Sequence, residues 1–230
     1  MAEERGADML SEAMQDYLKA IYSLQEGAGG VATSALAERL GVAAPSVTGM
    51  VKKLAELKLV RHERYQGVRL TKAGERVALE VLRHHRLLEL YLAEALGYSW
   101  DRVHEEAERL EHVISEEFEE RMFRALGAPT RDPHGHPIPT KEGKVATAPS
   151  SALAELAPGI SAVISGVSDR DPEMLRYLGE RGLVPETAVT VVARAPFNGP
   201  ITVKAGRASH VLGTDLAREI RVRARQKKTA

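Results

Sequence analysis

Two short helices joined at a glycine and followed by a basic hairpin, then three helices with no strand between them, then a run of short β-forming stretches, predict a mainly α chain. The three parts read as an N-terminal winged helix-turn-helix, a helical dimerisation domain and a C-terminal small β-barrel of SH3-like type. Expected bounds are 1–74 for the first, 75–127 for the second and 153–226 for the third, with a linker over 128–152. A length of 230 residues exceeds one small domain, so several modules are expected on size alone.

The elements follow in order. From about Ser11 to Gln25, Met14, Leu18, Ile21 and Leu24 recur at helical spacing, and the run GAGG stops the pattern. Within TSALAERLGVAAPSVTGMVKKLAELKLV, Thr33 stands where it can cap a short helix ending at Gly41, and a second helix runs from Pro45 to about Leu57. The tight glycine turn between them fits helix-turn-helix geometry. After Leu59, alternating β-formers around the glycine of Tyr-Gln-Gly read as a hairpin, placed as the wing of a winged helix. Helical patterns then run from Thr71 to about Leu96, from Ser99 to Ile114 and from Ser115 to Leu126. The Gly-, Pro-, Thr- and His-rich stretch from Gly127 to Ser150 has no periodicity and reads as a loop. Beyond it, Val163 to Val167, Ala188 to Ala193, Ile201 to Val203, His210 to Leu212 and Ile220 to Val222 read as strands, with a short helix from Asp171 to Arg181.

Cysteine is absent. That excludes disulfides, thiolate zinc sites, Fe–S clusters and cysteine nucleophiles, and leaves oxygen and imidazole as the strong metal ligands. The opening MAEERGADML has no apolar core of signal-peptide length, and no stretch approaches the ~20 apolar residues that cross a bilayer. The expectation is a cytoplasmic protein with no membrane partner. The formal net charge of +0 conceals segregation: Ala44 to Lys72 carries seven Lys/Arg against two Glu, and Ser99 to Glu120 carries nine Asp/Glu against two Arg. The first stretch suits a polyanion and the second a cation.

In a helix-turn-helix the second helix presents its N-terminal residues to base edges while flanking cations hold phosphates. Pro45, Ser46, Thr48 and Gly49 occupy those first turns. Lys52 and Lys53 follow on the same helix, and Arg61, Arg64 and Arg69 lie in the wing as phosphate or minor-groove contacts. Read one at a time, these cations are equally a solvated helix face; the helix, turn, helix and basic hairpin together point to double-stranded DNA.

Four of the eight histidines fall between His84 and His112. His104, Glu108, Glu111 and His112 share one face of a helix at about 100° per residue, beside a stripe of Val103, Ala107, Leu110 and Ile114. Carboxylates bordering buried territory are costly unless a cation neutralises them. On the preceding helix His85 and Glu89 stand four apart, one above the other, and Asp16 on the first helix offers another oxygen. An acidic run alone is more often a solvated face; imidazoles interleaved with it on two successive helices favour a divalent metal. Two other readings compete: a di-metal hydrolase using the same His and Glu residues, and a winged-helix regulator sensing an organic ligand, for which an aromatic content of 4% is poor material.

At these residues the chain resembles the diphtheria-toxin-repressor family of metal-dependent regulators, its manganese-responsive, three-domain branch in particular. The resemblance begins at Asp16-Tyr17-Leu18 and Ile21-Tyr22. It continues through Ala43-Ala44-Pro45-Ser46-Val47-Thr48, which adds Ala43 to the DNA-facing set. It is most specific at His85-Arg86-Leu87-Leu88-Glu89, at Val103-His104-Glu105-Glu106-Ala107-Glu108 and at Glu111-His112-Val113, and it resumes at Asp132-Pro133-His134-Gly135 and Pro137-Ile138-Pro139. It implies a homodimer that represses metal-uptake genes from a pseudo-palindromic operator when metal fixes its geometry. A primary site is implied at Asp16, His85, Glu108, Glu111 and His112. A secondary site is implied at Glu89, His104, Asp132, His134, Asp171 and Glu173, with Asp169 competing for the last positions. Asp16 and Glu108 stand where iron-responsive members carry methionine and cysteine, which moves the preference toward Mn2+, with Fe2+, Co2+, Cd2+ and Zn2+ as alternatives. Lys19 stands where manganese-responsive members can carry a Glu ligand, and a protonated lysine does not ligate. Composition does not decide the role of the C-terminal domain, and the basic tail from Arg221 to Lys228 reads as a solvated terminus rather than a DNA contact.

Overall fold

The computed structural model describes residues 10–25, 29–63 and 66–224. They fall into two compact units: residues up to His84 with Glu111–Ile114 and Pro139–Lys144, and His85–Leu110 with Ser115–Ile138 and the chain from Val145 onward.

In the first unit, α1 (Glu12–Leu24) starts where the Ser11 hydroxyl accepts from the Met14 N–H. Its Tyr17, Leu18, Ala20 and Ile21 pack against Leu36 of α2 (Thr33–Leu40) and against Val47, Val51 and Leu54 of α3 (Ala44–Glu56). These side chains recur every three or four residues, the spacing that lines one helix face. Truncating a fully buried one such as Leu36 to alanine costs about 2–5 kcal/mol. Thr33 is the first residue of α2 rather than its cap: the capping position is Ala32, which offers no side-chain bond. The glycine stop is as expected, with Gly41 left-handed at φ 62°. Strands β1 (Val60–Glu63) and β2 (Gly67–Leu70) form the antiparallel wing. Gly67, at φ 81°, brings β2 so close to Val31 that a Cβ there would sit 2.6 Å from the Val31 carbonyl oxygen.

A long helix, α4 (Lys72–Glu94), runs from the first unit into the second. The next helix, α5, covers only Val103–Leu110 and not the whole of Ser99 to Ile114; turns precede and follow it, so Glu111 and His112 lie past its end. Helix α6 (Glu116–Ala125) is capped by Ser115, whose hydroxyl accepts from the Phe118 N–H at 3.2 Å.

The remaining elements are β3 (Ser151–Ala152), one 3-10 turn at Leu153–Glu155, β4 (Ser161–Val167), α7 (Pro172–Glu180), β5 (Ala188–Arg194), β6 (Ile201–Ala205), β7 (Ala208–Leu212), α8 (Thr214–Arg218) and β8 (Ile220–Ala224). The strands form one antiparallel sheet in the order β3-β8-β4-β5-β6-β7. All the expected strands are present. Among the described residues β3 and β7 end the sheet and no pairing closes it into a barrel. Its core is Ile164, Val167, Val191, Ile201, Val203 and Ile220, covered by Leu175 and Leu178 of α7. Among the described residues no helix is long and apolar enough to cross a membrane.

Candidate metal centres and nucleic-acid interface

The first centre joins α1 to the turn after α5. Asp16 and Lys19 sit one helical turn apart on α1, and the turn presents Glu111 and His112 to them. His112 Nε2 lies 3.0 Å from Asp16 Oδ1 and 3.3 Å from Glu111 Oε1. On the far side of the ring, His112 Nδ1 donates to Gln15 Oε1 at 2.8 Å. That bond orients the ring so that Nε2 faces the two carboxylates, as outer-shell partners do for metal-binding imidazoles. Burial pushes the imidazole toward neutrality, but the hydrogen bond it donates to Asp16 and the charge of Glu111 outweigh it, so its pKa lies above the usual value. The turn is held in place by His84, whose Nδ1 donates to the Glu111 carbonyl at 3.1 Å. Lys19 Nζ lies 2.5 Å from Glu111 Oε1.

The second centre is drier. On α4, His85 and Glu89 share a face, and α5 adds His104. At Glu89 Oε1, His85 Nε2 stands at 3.0 Å and His104 Nδ1 at 3.2 Å, and the two nitrogens are 3.0 Å from each other. Three donors about 3 Å apart is the spacing that ligand bonds of about 2.1 Å produce around one ion.

The loop 131–137 closes this centre. Asp132 Oδ1 accepts from the N–H groups of His134 (2.8 Å) and His136 (2.9 Å), so one carboxylate shapes the turn. Gly135, at φ 90°, lies against β4, where a Cβ would sit 2.3 Å from the Ser165 carbonyl oxygen. The His134 carbonyl accepts from the Val167 N–H at 2.9 Å. His134 itself is fully buried, its Nε2 donating to the Trp100 carbonyl at 2.8 Å and its Nδ1 facing Glu89 Oε1 at 3.6 Å. That last distance is too long for a hydrogen bond, though short enough for the charges to act on each other. Among the described residues, His134 Nδ1 and Glu89 Oε2 are buried polar atoms without a hydrogen-bond partner, an arrangement that a divalent cation between them would relieve. Burial works against charge on both groups. His134 is nonetheless pushed up to about 9 by Glu89 and Asp132, and the Glu89 carboxyl is held well below its usual range by His85, His104 and His134. Asp169 completes the group, with its Oδ2 3.6 Å from His136 Nδ1; burial raises its pKa, and the charge of His136 brings it below the ordinary value. The donors of Glu89, His134 and Asp169 lie within 4.8 Å of one another.

On α3, Pro45, Ser46, Thr48, Gly49, Lys52 and Lys53 are exposed while Val47, Val51 and Leu54 are buried, and exposed Ala43 caps the helix. No atom lies within 4 Å of where a Gly49 Cβ would stand, so packing within the fold does not call for glycine there. In the wing, Arg61 faces Arg69 in register, and both are exposed. Like charges directly opposite destabilise a hairpin, a cost that a polyanion reverses. Arg64 lies outside the described residues.

Comparison with known proteins agrees domain by domain. Residues 9–68 match the model described as iron dependent repressor, N-terminal DNA binding domain; residues 71–140 match iron dependent repressor, metal binding and dimerisation domain; residues 152–224 match the FeoA domain. Over 225 residues, 93% of this chain and 97% of the relative, the sequence is 31% identical to the iron-dependent repressor IdeR of Mycobacterium leprae (strain TN). The chain belongs to the iron-dependent repressor family, that of the diphtheria toxin repressor. Among solved structures this repressor is similar to a manganese-dependent transcriptional repressor in complex with manganese, at 42% identity and a TM-score of 0.86 over 92% of this chain and 100% of the other. It is also similar to the manganese regulator SloR, at 31% identity and 0.76 over 92% and 98%. The repressor is thus a homodimeric, metal-dependent DNA-binding transcription regulator, and the hydrolase reading is set aside with every other enzyme.

The geometry redistributes the residues that the sequence singles out. Asp16, Glu111 and His112 come together as expected. His85, expected with them, stands instead with Glu89 and His104 in the second centre, and Glu108 Oε1 is 3.5 Å from His104 Nε2. His134 joins the second centre, and Asp132 shapes the turn that carries it. Asp171 does not: its carboxylate caps α7, accepting from the N–H groups of Glu173 and Met174, and Glu173 is exposed. Asp169 takes that place. His136 was missed by sequence reasoning; its position two residues from His134, in a turn built on Asp132, is the signal that would have found it.

Proposed function

We propose that this repressor is controlled by Mn2+ and silences metal-uptake genes from a pseudo-palindromic operator in the cytoplasm. The observation that carries the reading is the first centre. Asp16 belongs to the DNA-binding domain, whereas Glu111 and His112 belong to the metal-binding and dimerisation domain, and all three donors converge. Two carboxylates and one imidazole, with no sulfur in the chain, suit a hard ion; the family resemblance adds Glu108 as a further donor. The similarity to a manganese-dependent repressor and to the manganese regulator SloR supports the same choice. The ion supplies positive charge that lets the carboxylates share one site. Asp16, Glu111 and His112 then hold α1 against the turn, which fixes the angle of the DNA-binding domain. In a dimer this angle sets the spacing of the two α3 helices against half-sites about one helical turn apart, or a multiple of it. His85, Glu89, His104, His134 and Asp169 form the second centre, with Asp132 and His136 shaping its wall.

The test is fluorescence anisotropy on operator DNA. Affinity should rise at least tenfold with Mn2+ and fall back with chelator, and DNA must in turn tighten Mn2+ binding. Equal affinity with and without metal would remove the switch.

A further inference from the structure

The Glu111 side chain is fully buried, and an ammonium stands at its Oε1. Lys19 Nζ is closer to that oxygen, at 2.5 Å, than His112 Nε2 is, at 3.3 Å. Glu111 is one of the three donors of the first centre, so a cation already stands at the carboxylate that an incoming ion must use. We propose that Lys19 is a resident cation of this centre, which holds Glu111 in the metal-free protein and raises the metal concentration at which the centre fills. The inference rests on the metal reading above and adds to it the residue that sets the threshold.

Two physical effects act in the same direction. The ammonium competes for the lone pairs of Glu111, and a cation within about 4–6 Å of a carboxylate typically suppresses binding of a proton to it by ten- to a thousandfold; a divalent ion competes for the same electrons. It also compensates a buried negative charge that would otherwise destabilise the metal-free state and drive metal uptake. Lys19 is 15% exposed at its side chain while Glu111 is not exposed at all. The lysine can therefore turn toward water on metal binding, and the carboxylate stays.

The experiment is Mn2+ titration calorimetry on the full chain without DNA. The binding phase that Asp16→Ala removes identifies the first centre. In Lys19→Met that phase should tighten at least tenfold, and Lys19→Gln, which can still donate to Glu111 but carries no charge, should tighten as well. Lys19→Arg should stay near the wild type. Unchanged or weaker binding in the two neutral variants would overturn the proposal and make Lys19 a bystander, or a support for Glu111. Such a result leaves Mn2+-controlled DNA binding standing, whereas a wild type with no Asp16-dependent phase would contradict both.

Discussion

Glu89→Gln removes the negative charge on which His85, His104 and His134 converge while keeping the shape of the side chain. In the metal-free protein His134 draws its raised pKa, about 9, first against burial and then from Glu89. A rise from 6.5 to about 9 corresponds to about 3 kcal/mol of folding stability. The sign follows from its being a raised pKa: the stabilisation is complete below the unfolded value near 6.5 and is lost as pH climbs through 9. Asp132 and the Trp100 carbonyl share in that rise, so Glu89→Gln should cost up to about 3 kcal/mol at pH 6 in chelator, and the deficit should shrink toward pH 9. Urea unfolding followed by fluorescence measures this locally, because the chain has a single tryptophan and Trp100 lies 5.7 Å, ring to ring, from His134. A variant as stable as wild type at pH 6, or one whose deficit is the same at pH 9, would refute the idea that Glu89 holds the His134 imidazole charged.

Three further outcomes are expected. Asp16→Ala should abolish Mn2+-dependent operator binding while light scattering still reports a dimer; a monomer would mean that Asp16 is a structural residue. Arg69→Ala should weaken binding to operator and random DNA alike and reduce the slope of log affinity against log salt by about 1, and an effect confined to one base position would contradict a phosphate contact. Gly67→Ala should destabilise the wing by about 1–3 kcal/mol, from its φ of 81° and its contact with the Val31 carbonyl, and should lower DNA affinity without altering Mn2+ affinity in calorimetry.

The helix-turn-helix was legible because its signals are local: apolar spacing in α1, glycine after α2, proline at the head of α3. The strands of the C-terminal sheet were legible by the same logic, while the order in which they pair depends on contacts far apart in sequence. The length of α5 was misread because 99–114 keeps a helical pattern throughout. The chain nevertheless turns after Leu110, where His84 takes up the Glu111 carbonyl and the Glu111 and His112 side chains reach α1. The donors of one apparent face thereby go to different centres: His104 stands with His85 and Glu89, and Glu111 and His112 with Asp16. The choice between Asp169 and Asp171 was open to a finer reading, since Asp171 directly precedes Pro172 and Asp-Pro is a strong helix-start pair. The loop at 131–137 reads as a linker by composition, yet it is ordered and buried because Asp132 bonds two of its own amides.

The central claim is that a single ion held by Asp16, Glu111 and His112 couples the DNA-binding domain to the dimerisation domain. A crystal grown with Mn2+ and measured at the manganese edge tests it directly. The account predicts an anomalous peak bonded to an Asp16 carboxylate oxygen, a Glu111 carboxylate oxygen and His112 Nε2, with Lys19 Nζ withdrawn from Glu111. Manganese found only at the Glu89 and His134 centre, with Lys19 still seated on Glu111, would contradict it.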